Sequence, residues 1–411
     1  MVRVLHTADW QIGMTRRFLE PEAQARFTAA RADAVRRLGK VAQDQGCDLV
    51  VVCGDVFESN HLTAQTVRRA LDALRAVPVP VYLLPGNHDP LDAASVYRSE
   101  LFRTEAPEHV HVLDRAGVHA VAPGLELVAA PWESKHPGRD LVAEALAHVP
   151  EGPAPEGLVR VVVGHGAVDE LDPDRRSEST IRTGPLVAAL EERRVHYVAL
   201  GDRHSRTAVA GRSDLWYSGA PEPTRETEVA PGDVLVVDLD PGRSDVARVT
   251  AHHVGTWSFR VIERRADGEA DLAALDQELH ALPDKDRTIV HLTLAGTLTV
   301  PQLARLDTLR ERHRDQLAAL VERDHRQDVV VLDHDGEAWD DLAVGGFIAS
   351  AAAEIQVAAR NRGAAPDRPS VQSGAATGAA TTPVFVAGRP DDGESARDAL
   401  ALLYRLTGGS A

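Results

Sequence analysis

Five short segments of this chain set carboxylate, imidazole and amide side chains at the ends of apolar runs. They are Asp9-Trp10-Gln11, Gly54-Asp55, Gly86-Asn87-His88-Asp89, Gly164-His165-Gly166 and Gly201-Asp202-Arg203-His204. Mixed Asp, His and amide ligation suits Mn²⁺ or Fe²⁺, whereas an all-oxygen set points to Mg²⁺. Hydrolysing a phosphodiester near neutral pH needs a nucleophile made from water and relief of charge on the phosphate. Two adjacent divalent cations supply both. A carboxylate must bridge such a pair, and Asp55 is the candidate. Glycines beside the ligands let backbone and substrate come close without a Cβ between them. Taken singly, each cluster has a plainer explanation: Asp9 and Asp202 could cap turns, and His165 and His204 could be satisfied core histidines. Five of them in one chain are hard to attribute to packing.

Such clusters meet only if their strands end on one side of a sheet, where ligands bind in the crevice outside the strand ends. Up to Asp240 the sequence supplies the strands: Val2–Thr7, Asp48–Cys53, Val79–Leu84, Leu125–Ala130, Val159–Val163, Tyr197–Leu200 and Leu215–Ser218 read as short buried runs. Helical patterns over Glu22–Gln43 and Thr63–Ala76, the latter capped by Thr63, alternate with them and predict an α/β layered domain. His6 and His196 lie within strand patterns and are expected to be packed. Adjacent His252 and His253 point to opposite faces of a strand and are poor ligand candidates.

Beyond Asp233 the pattern changes. VLVVDLD and VARVTAHHV read as an antiparallel pair, and Trp257–Glu263 and Thr288–Leu294 bracket a helical segment. A helix is expected over Gln302–Glu322, with Leu303, Leu306, Leu309, Leu317 and Leu320 on one face, followed by a strand at 329–333. The predicted organisation is a domain over 1–240, a small α+β domain over 241–345 and a tail over 346–411. That tail holds a helix, a linker, RGAAPDRPSVQSGAATGAATTP, and a terminal amphipathic helix, SARDALALLYRL, which could pack back on the small domain or dock a partner, the linker favouring docking. RERHR (310–314) is interrupted by acidic neighbours and reads as a solvated helix face.

The bulk numbers bound the rest. A chain of 411 residues with 44% hydrophobic and 26% charged residues is globular. No apolar run approaches the roughly 20 residues that cross a bilayer. Two cysteines, Cys47 and Cys53, are no disulfide framework, so a reducing cytoplasm is the expected setting. The net charge of −17 argues against nonspecific coating of nucleic acid, though not against a DNA enzyme that takes its positive field from cations or a partner.

VCGD, PGNHD, VGHG and LGDRH, in that order and spacing, resemble the calcineurin-like metallophosphoesterase superfamily. HTADWQIG and YSGAPEPT (217–224) are similar to one branch of it, the SbcD-type DNA double-strand-break exonucleases. The resemblance implies a four-layer αββα sandwich with a smaller capping domain, and two divalent metal ions, with Mn²⁺ favoured. Asp9, Gln11, Asp55 and His204 would surround one ion; Asp55, Asn87, His165 and Asp202 the other. His88 would protonate the leaving oxygen, and Asp89 would orient His88. The branch acts on DNA, at duplex ends and hairpins, with an SbcC-like coiled-coil ATPase in a two-plus-two assembly, so a homodimer is among the arrangements implied; no membrane is involved.

The chain departs from that pattern twice, with Gln11 and Asp202 where the family has histidine. An amide oxygen is a weaker donor than imidazole, and a further carboxylate favours hard cations. These departures keep a catalytically weak scaffold subunit in view beside the nuclease. A small-molecule phosphodiesterase or phosphatase of the same superfamily is the other alternative, against which the chain beyond Asp240 argues. Glu58 stands near the clusters with no role assigned.

Overall fold

The computed structural model describes residues 1–171, 177–240, 242, 247–322, 328–332, 354–355 and 399. The chain opens with β1 (Val2–Thr7), α1 (Pro21–Gln45), β2 (Leu49–Cys53), α2 (Ala64–Arg75), β3 (Val81–Leu84), α3 (Glu100–Glu105) and β4 (Val110–Val112). There follow β5 (Gly117–Ala122), β6 (Leu125–Ala129), α4 (Leu141–Ala147), β7 (Val159–His165), α5 (Thr183–Glu191) and β8 (Tyr197–Gly201). β9 (Thr207–Ala208), β10 (Leu215–Tyr217), β11 (Asp233–Leu239) and β12 (Ala247–His253) complete the first set. α1 starts with Pro21 in its first turn and stops at Gly46, whose φ of 63° suits a residue without a Cβ. The Thr63 hydroxyl accepts from Thr66 N at 3.2 Å and caps α2, as its sequence predicts.

Two six-stranded sheets result, ordered β12-β11-β1-β2-β3-β4 and β5-β6-β7-β8-β10-β9. Alternation along β2 shows how they stack. Val50 and Val52 join the core shared with α1 and α2, while Leu49, Val51 and Cys53 face the second sheet. In β7, Val161 and Val163 meet the first sheet, and Val162 packs with Leu146 of α4 and Leu190 of α5. Strands buried on both faces read as unbroken Val/Leu runs because each face has a layer to cover it. The order of layers is α, β, β, α, as the resemblance implies.

The first compact unit runs through Arg260 and takes in residues 287–289. This corrects the boundary expected at Asp240. β11 and β12 do form the expected antiparallel pair. However, β11 also pairs with β1, from Val2↔Leu239 to His6↔Leu235, so the hairpin closes the edge of the main sheet.

The second unit is built on β13 (Ser258–Arg265), α6 (Glu269–His280), β14 (Thr288–Thr299), α7 (Val300–Arg314), β15 (Ala319–Glu322) and β16 (Asp328–Leu332). Its sheet order is β13-β14-β15, with β16 parallel to the end of β14. The helix expected over Gln302–Glu322 ends at Arg314, and residues 319–322 form a strand instead. Leu303, Leu306, Leu309, Leu317 and Leu320 all reach one core, so the apolar spacing is real but serves two elements. RERHR is paired within the unit: Arg310 and Arg314 reach Glu322 at 2.6 and 2.8 Å, and His313 Nε2 lies 2.7 Å from Asp276. The linker and the terminal docking helix lie outside the described residues. Among the described residues no helix is long and apolar enough to cross a membrane.

Candidate metal centre

β1, β2 and β3 of one sheet and β7 and β8 of the other end at a common rim, and the backbone bends sharply there. Eight described non-glycine residues have positive φ, and four of them are Asp9 (54°), Gln11 (45°), Asp55 (52°) and Asp202 (95°). A residue with a side chain holds that conformation only where its surroundings impose it, and such positions gather at functional sites. Here the surroundings are hydrogen bonds between neighbouring loops. Asp9 N donates to Gly54 O at 3.1 Å, Gln11 N to Asp55 O at 2.9 Å and Ile12 N to Val56 O at 2.9 Å. Asp202 N donates to both Asp9 carboxylate oxygens at 3.1 Å, tying the two sheets together. Gly86 is required: a Cβ there would sit 2.2 Å from Asp55 Oδ1.

These bends bring ligating atoms together. One ligating atom from each of Asp9, Asp55 and His165, all buried, lies within 4.8 Å of the other two. His165 Nε2 is 3.4 Å from Asp55 Oδ1 and 3.7 Å from Asp202 Oδ1. Asn87 sets one amide atom 2.9 Å from His165 Nε2 and 3.2 Å from both Asp55 oxygens. Turned with its nitrogen inward, that amide donates to all three. Turned with its oxygen inward, it adds one more acceptor to a ring of acceptors, an arrangement that a cation satisfies. Gln11 Nε2 lies 3.1 Å from His204 Nε2, and Gln11 Oε1 is buried without a hydrogen-bond partner among the described residues. A buried amide oxygen left unpaired is costly unless a cation occupies its lone pair.

In each of the two histidines Nδ1 is held by a neighbour, which leaves Nε2 facing the other candidate ligands. His165 Nδ1 lies 2.8 Å from Cys53 O, and a carbonyl only accepts, so this nitrogen carries the hydrogen and Nε2 turns its lone pair inward. His204 Nδ1 is 2.7 Å from Thr224 Oγ1 and 3.1 Å from Glu228 Oε1, which fixes the same tautomer. Burial disfavours charge on the His165 ring, yet Asp55, Asp9 and Asp202 outweigh it and hold its pKa well above the ordinary value. His204 is also raised, burial being overcome by Glu228 and Asp9. For Asp9, burial pushes the carboxyl up to about 7, against the pull of His204 and His165. For Asp55, burial is outweighed by His165 and His88, and its pKa falls. Protons on the rings thus stand in for cations among crowded carboxylates, and metal binding at such a site releases them.

His88 lies beside this group at the open side, its Nε2 4.0 Å from Asp55 Oδ2. Its Nδ1 donates to Glu58 O at 2.9 Å. The expectation that Asp89 orients His88 is therefore corrected. The Asp89 carboxylate accepts from Gly86 N (2.7 Å), Phe57 N (3.0 Å) and Tyr97 OH (2.6 Å) and is fully buried. It braces the loop carrying Asn87 and His88 against the loop after Asp55. Burial raises its pKa to about 6.

The calcineurin-like phosphoesterase family matches residues 2–206, the span that holds every one of these side chains except those of Thr224 and Glu228. The chain belongs to that family. Among curated proteins it is similar to the SbcD subunit of the nuclease SbcCD from Rhodobacter capsulatus, 28% identical over 384 residues, covering 78% of this chain and 87% of that one. It is also similar to the DNA double-strand break repair protein Mre11 of Methanosarcina mazei, 25% identical over 313 residues, covering 72% of this chain and 45% of that one. Among solved structures, a dimetal phosphatase from Danio rerio is 12% identical and covers 62% of this chain and 96% of that one, with a TM-score of 0.39.

As a calcineurin-like phosphoesterase the chain is a hydrolase with a candidate divalent-metal site at Asp9, Asp55 and His165. His6 and His196, expected to be packed, are structural. His6 is buried with Nδ1 3.0 Å from Tyr197 OH and Nε2 3.1 Å from Leu200 O, and burial drops its pKa to about 3. His196 Nδ1 accepts from Arg160 N. Glu228, which fixes His204, carries no signal in the sequence. It lies four residues past YSGAPEPT, and only a tertiary contact shows its role. Cys53 O and Glu58 O, which set the rings of His165 and His88, are backbone atoms that no residue pattern can announce.

Proposed function

We propose that this chain is a metal-dependent DNA nuclease that hydrolyses phosphodiester bonds at DNA ends, acting with an SbcC-like coiled-coil ATPase. The observation that carries the chemistry is the gathering of Asp9, Asp55 and His165 with inward amide groups from Asn87 and Gln11, open to His88. The similarity to the SbcD subunit of a nuclease over 78% of this chain supports DNA as substrate. Two ions are proposed, one among Asp9, Gln11, Asp55 and His204, the other among Asp55, Asn87, His165 and Asp202, with Asp55 shared. Five oxygen ligands to two nitrogens favour Mn²⁺ over softer ions. Bound there, the ions supply Lewis acidity toward phosphoryl oxygens and lower the pKa of water.

The chain's own residues do the rest. Asp9 and Asp55 neutralise the cations; Asp202 N fixes the Asp9 carboxylate. His88, held through Nδ1 by Glu58 O, keeps Nε2 directed at the open side, where it can give a proton to the leaving oxygen. Asp89 holds the loop on which His88 and Asn87 ride. The second unit is proposed as a cap.

The test is incubation of the purified chain with end-labelled duplex DNA and Mn²⁺. Shortened products that disappear with EDTA and with Asp55→Ala are expected. Intact DNA alongside hydrolysis of aryl phosphate esters would move the chain to small-molecule chemistry.

A further inference from the structure

A cleft of about 310 Å³ opens beside the metal centre, bounded by Asp202 and His204 on one side and by the chain around Arg225 and Thr227 on the other. That volume is at the lower end of ligand pockets, roughly 300–1,000 Å³, and suits one nucleotide unit rather than a duplex. Two guanidinium groups line it. Arg203 lies between two proposed ligands, and its Nε donates to Thr207 Oγ1 at 3.0 Å. Arg225 follows Thr224, whose hydroxyl meets His204.

Neither arginine reaches a carboxylate among the described residues, whereas Arg206 and Arg212 of the same unit do. Of the acids that line the cleft, Asp202 is a proposed ligand, and Glu228 is engaged by Thr224 N at 2.9 Å and by His204. In a chain of net charge −17, two exposed cations with no carboxylate partner at the lip of a carboxylate-rich centre call for an anion from outside. The ligand chemistry that guanidinium groups serve best is phosphate.

We infer that Arg203 and Arg225 form a subsite for the phosphate next to the one being hydrolysed, with the intervening nucleotide in the cleft. This rests on the nuclease reading and adds to it that the enzyme grips a second phosphate. A polynucleotide has one and a simple phosphodiester does not.

The experiment compares a short single-stranded oligonucleotide with bis(p-nitrophenyl) phosphate, in Mn²⁺, for the wild-type chain, Arg203→Ala, Arg225→Ala and the double variant. Each charged contact is worth on the order of tenfold in binding. The double variant should therefore raise KM for the oligonucleotide at least tenfold more than for the aryl diester, with kcat on the oligonucleotide changed far less. The salt dependence of oligonucleotide KM should also flatten, by roughly one unit of log–log slope per arginine. Lysine at both positions should recover part of the loss. Equal losses on both substrates, or an unchanged oligonucleotide KM, overturn the subsite while leaving the nuclease standing. A wild-type chain that cleaves the aryl diester and not the oligonucleotide overturns the nuclease reading itself, and the subsite with it.

Discussion

The rim of the two sheets and the second unit both bring charged side chains together and use them in opposite ways. In the second unit opposite charges meet: His313 and Arg312 close on Asp276, and Arg310 and Arg314 on Glu322. At the rim, carboxylates crowd one another. Asp9, Asp55 and Asp202 converge on His165, amide groups turn inward, and four of the participating residues hold positive φ. Matched charge completes itself and needs nothing further. Like charge gathered by strained backbone must be balanced by protons or by a cation from outside, so the mismatch is the functional signal.

The largest effect should come from removing the shared carboxylate. Asp55→Ala is expected to abolish metal retention and lower phosphodiester hydrolysis by about 10³-fold, since cations at such a centre contribute several kcal/mol to the barrier. Metal content by plasma emission together with Mn²⁺-dependent turnover checks both. Full metal occupancy in this variant would erase the contrast between rim and second unit. His88→Ala comes next, with a loss of about 10²–10³-fold in turnover and unchanged metal content, because a proton donor acts on the rate alone. Loss of metal from His88→Ala would make it a ligand. Asp89→Asn, by contrast, should lower stability as well, since its carboxylate serves three donors.

How much of this was legible follows from where the information lies. The candidate ligands could be named because Asp9, Asp55, Asn87, His165, Asp202 and His204 each sit just after an apolar run, and strand ends converge. The partner of His88 was not, because Glu58 offers a backbone carbonyl. The end of α7 was missed because Leu317 and Leu320 continue its apolar spacing while lying in a turn and a strand. Periodicity records which residues are buried, and here one core takes them from two elements. The edge of the first unit was misplaced for a related reason. A hairpin looks the same in sequence whether it stands alone or, like β11 and β12, closes a sheet.

Gln11 sharpens the comparison on a smaller scale. Its oxygen is buried at the rim with no partner among the described residues, so its donor strength should set occupancy of the first ion. Gln11→His is expected to raise Mn²⁺ affinity about tenfold by calorimetry and to increase turnover at limiting Mn²⁺, with little change at saturation. An unchanged affinity would mean that Gln11 serves His204 and not the cation.

The smallest effect belongs to the second unit. Burial raises the Asp276 carboxyl, but hydrogen bonds from His313 and Arg312 outweigh it, and its pKa lies below the ordinary 3.8. A carboxylate with a depressed folded pKa adds stability that is fully present above its unfolded value and is lost as pH falls through the folded one. Arg312 is half exposed and Asp276 about a third, so solvent screens the pair and its worth is about 0.5–1 kcal/mol. Asp276→Asn should therefore lower the urea midpoint at pH 7, and the difference from wild type should shrink as pH drops below about 4. Metal content and phosphodiester turnover should not move with it. A loss that stays constant with pH would show that the site depends on shape and not on charge, and the contrast between matched and unmatched regions would then rest on the rim alone.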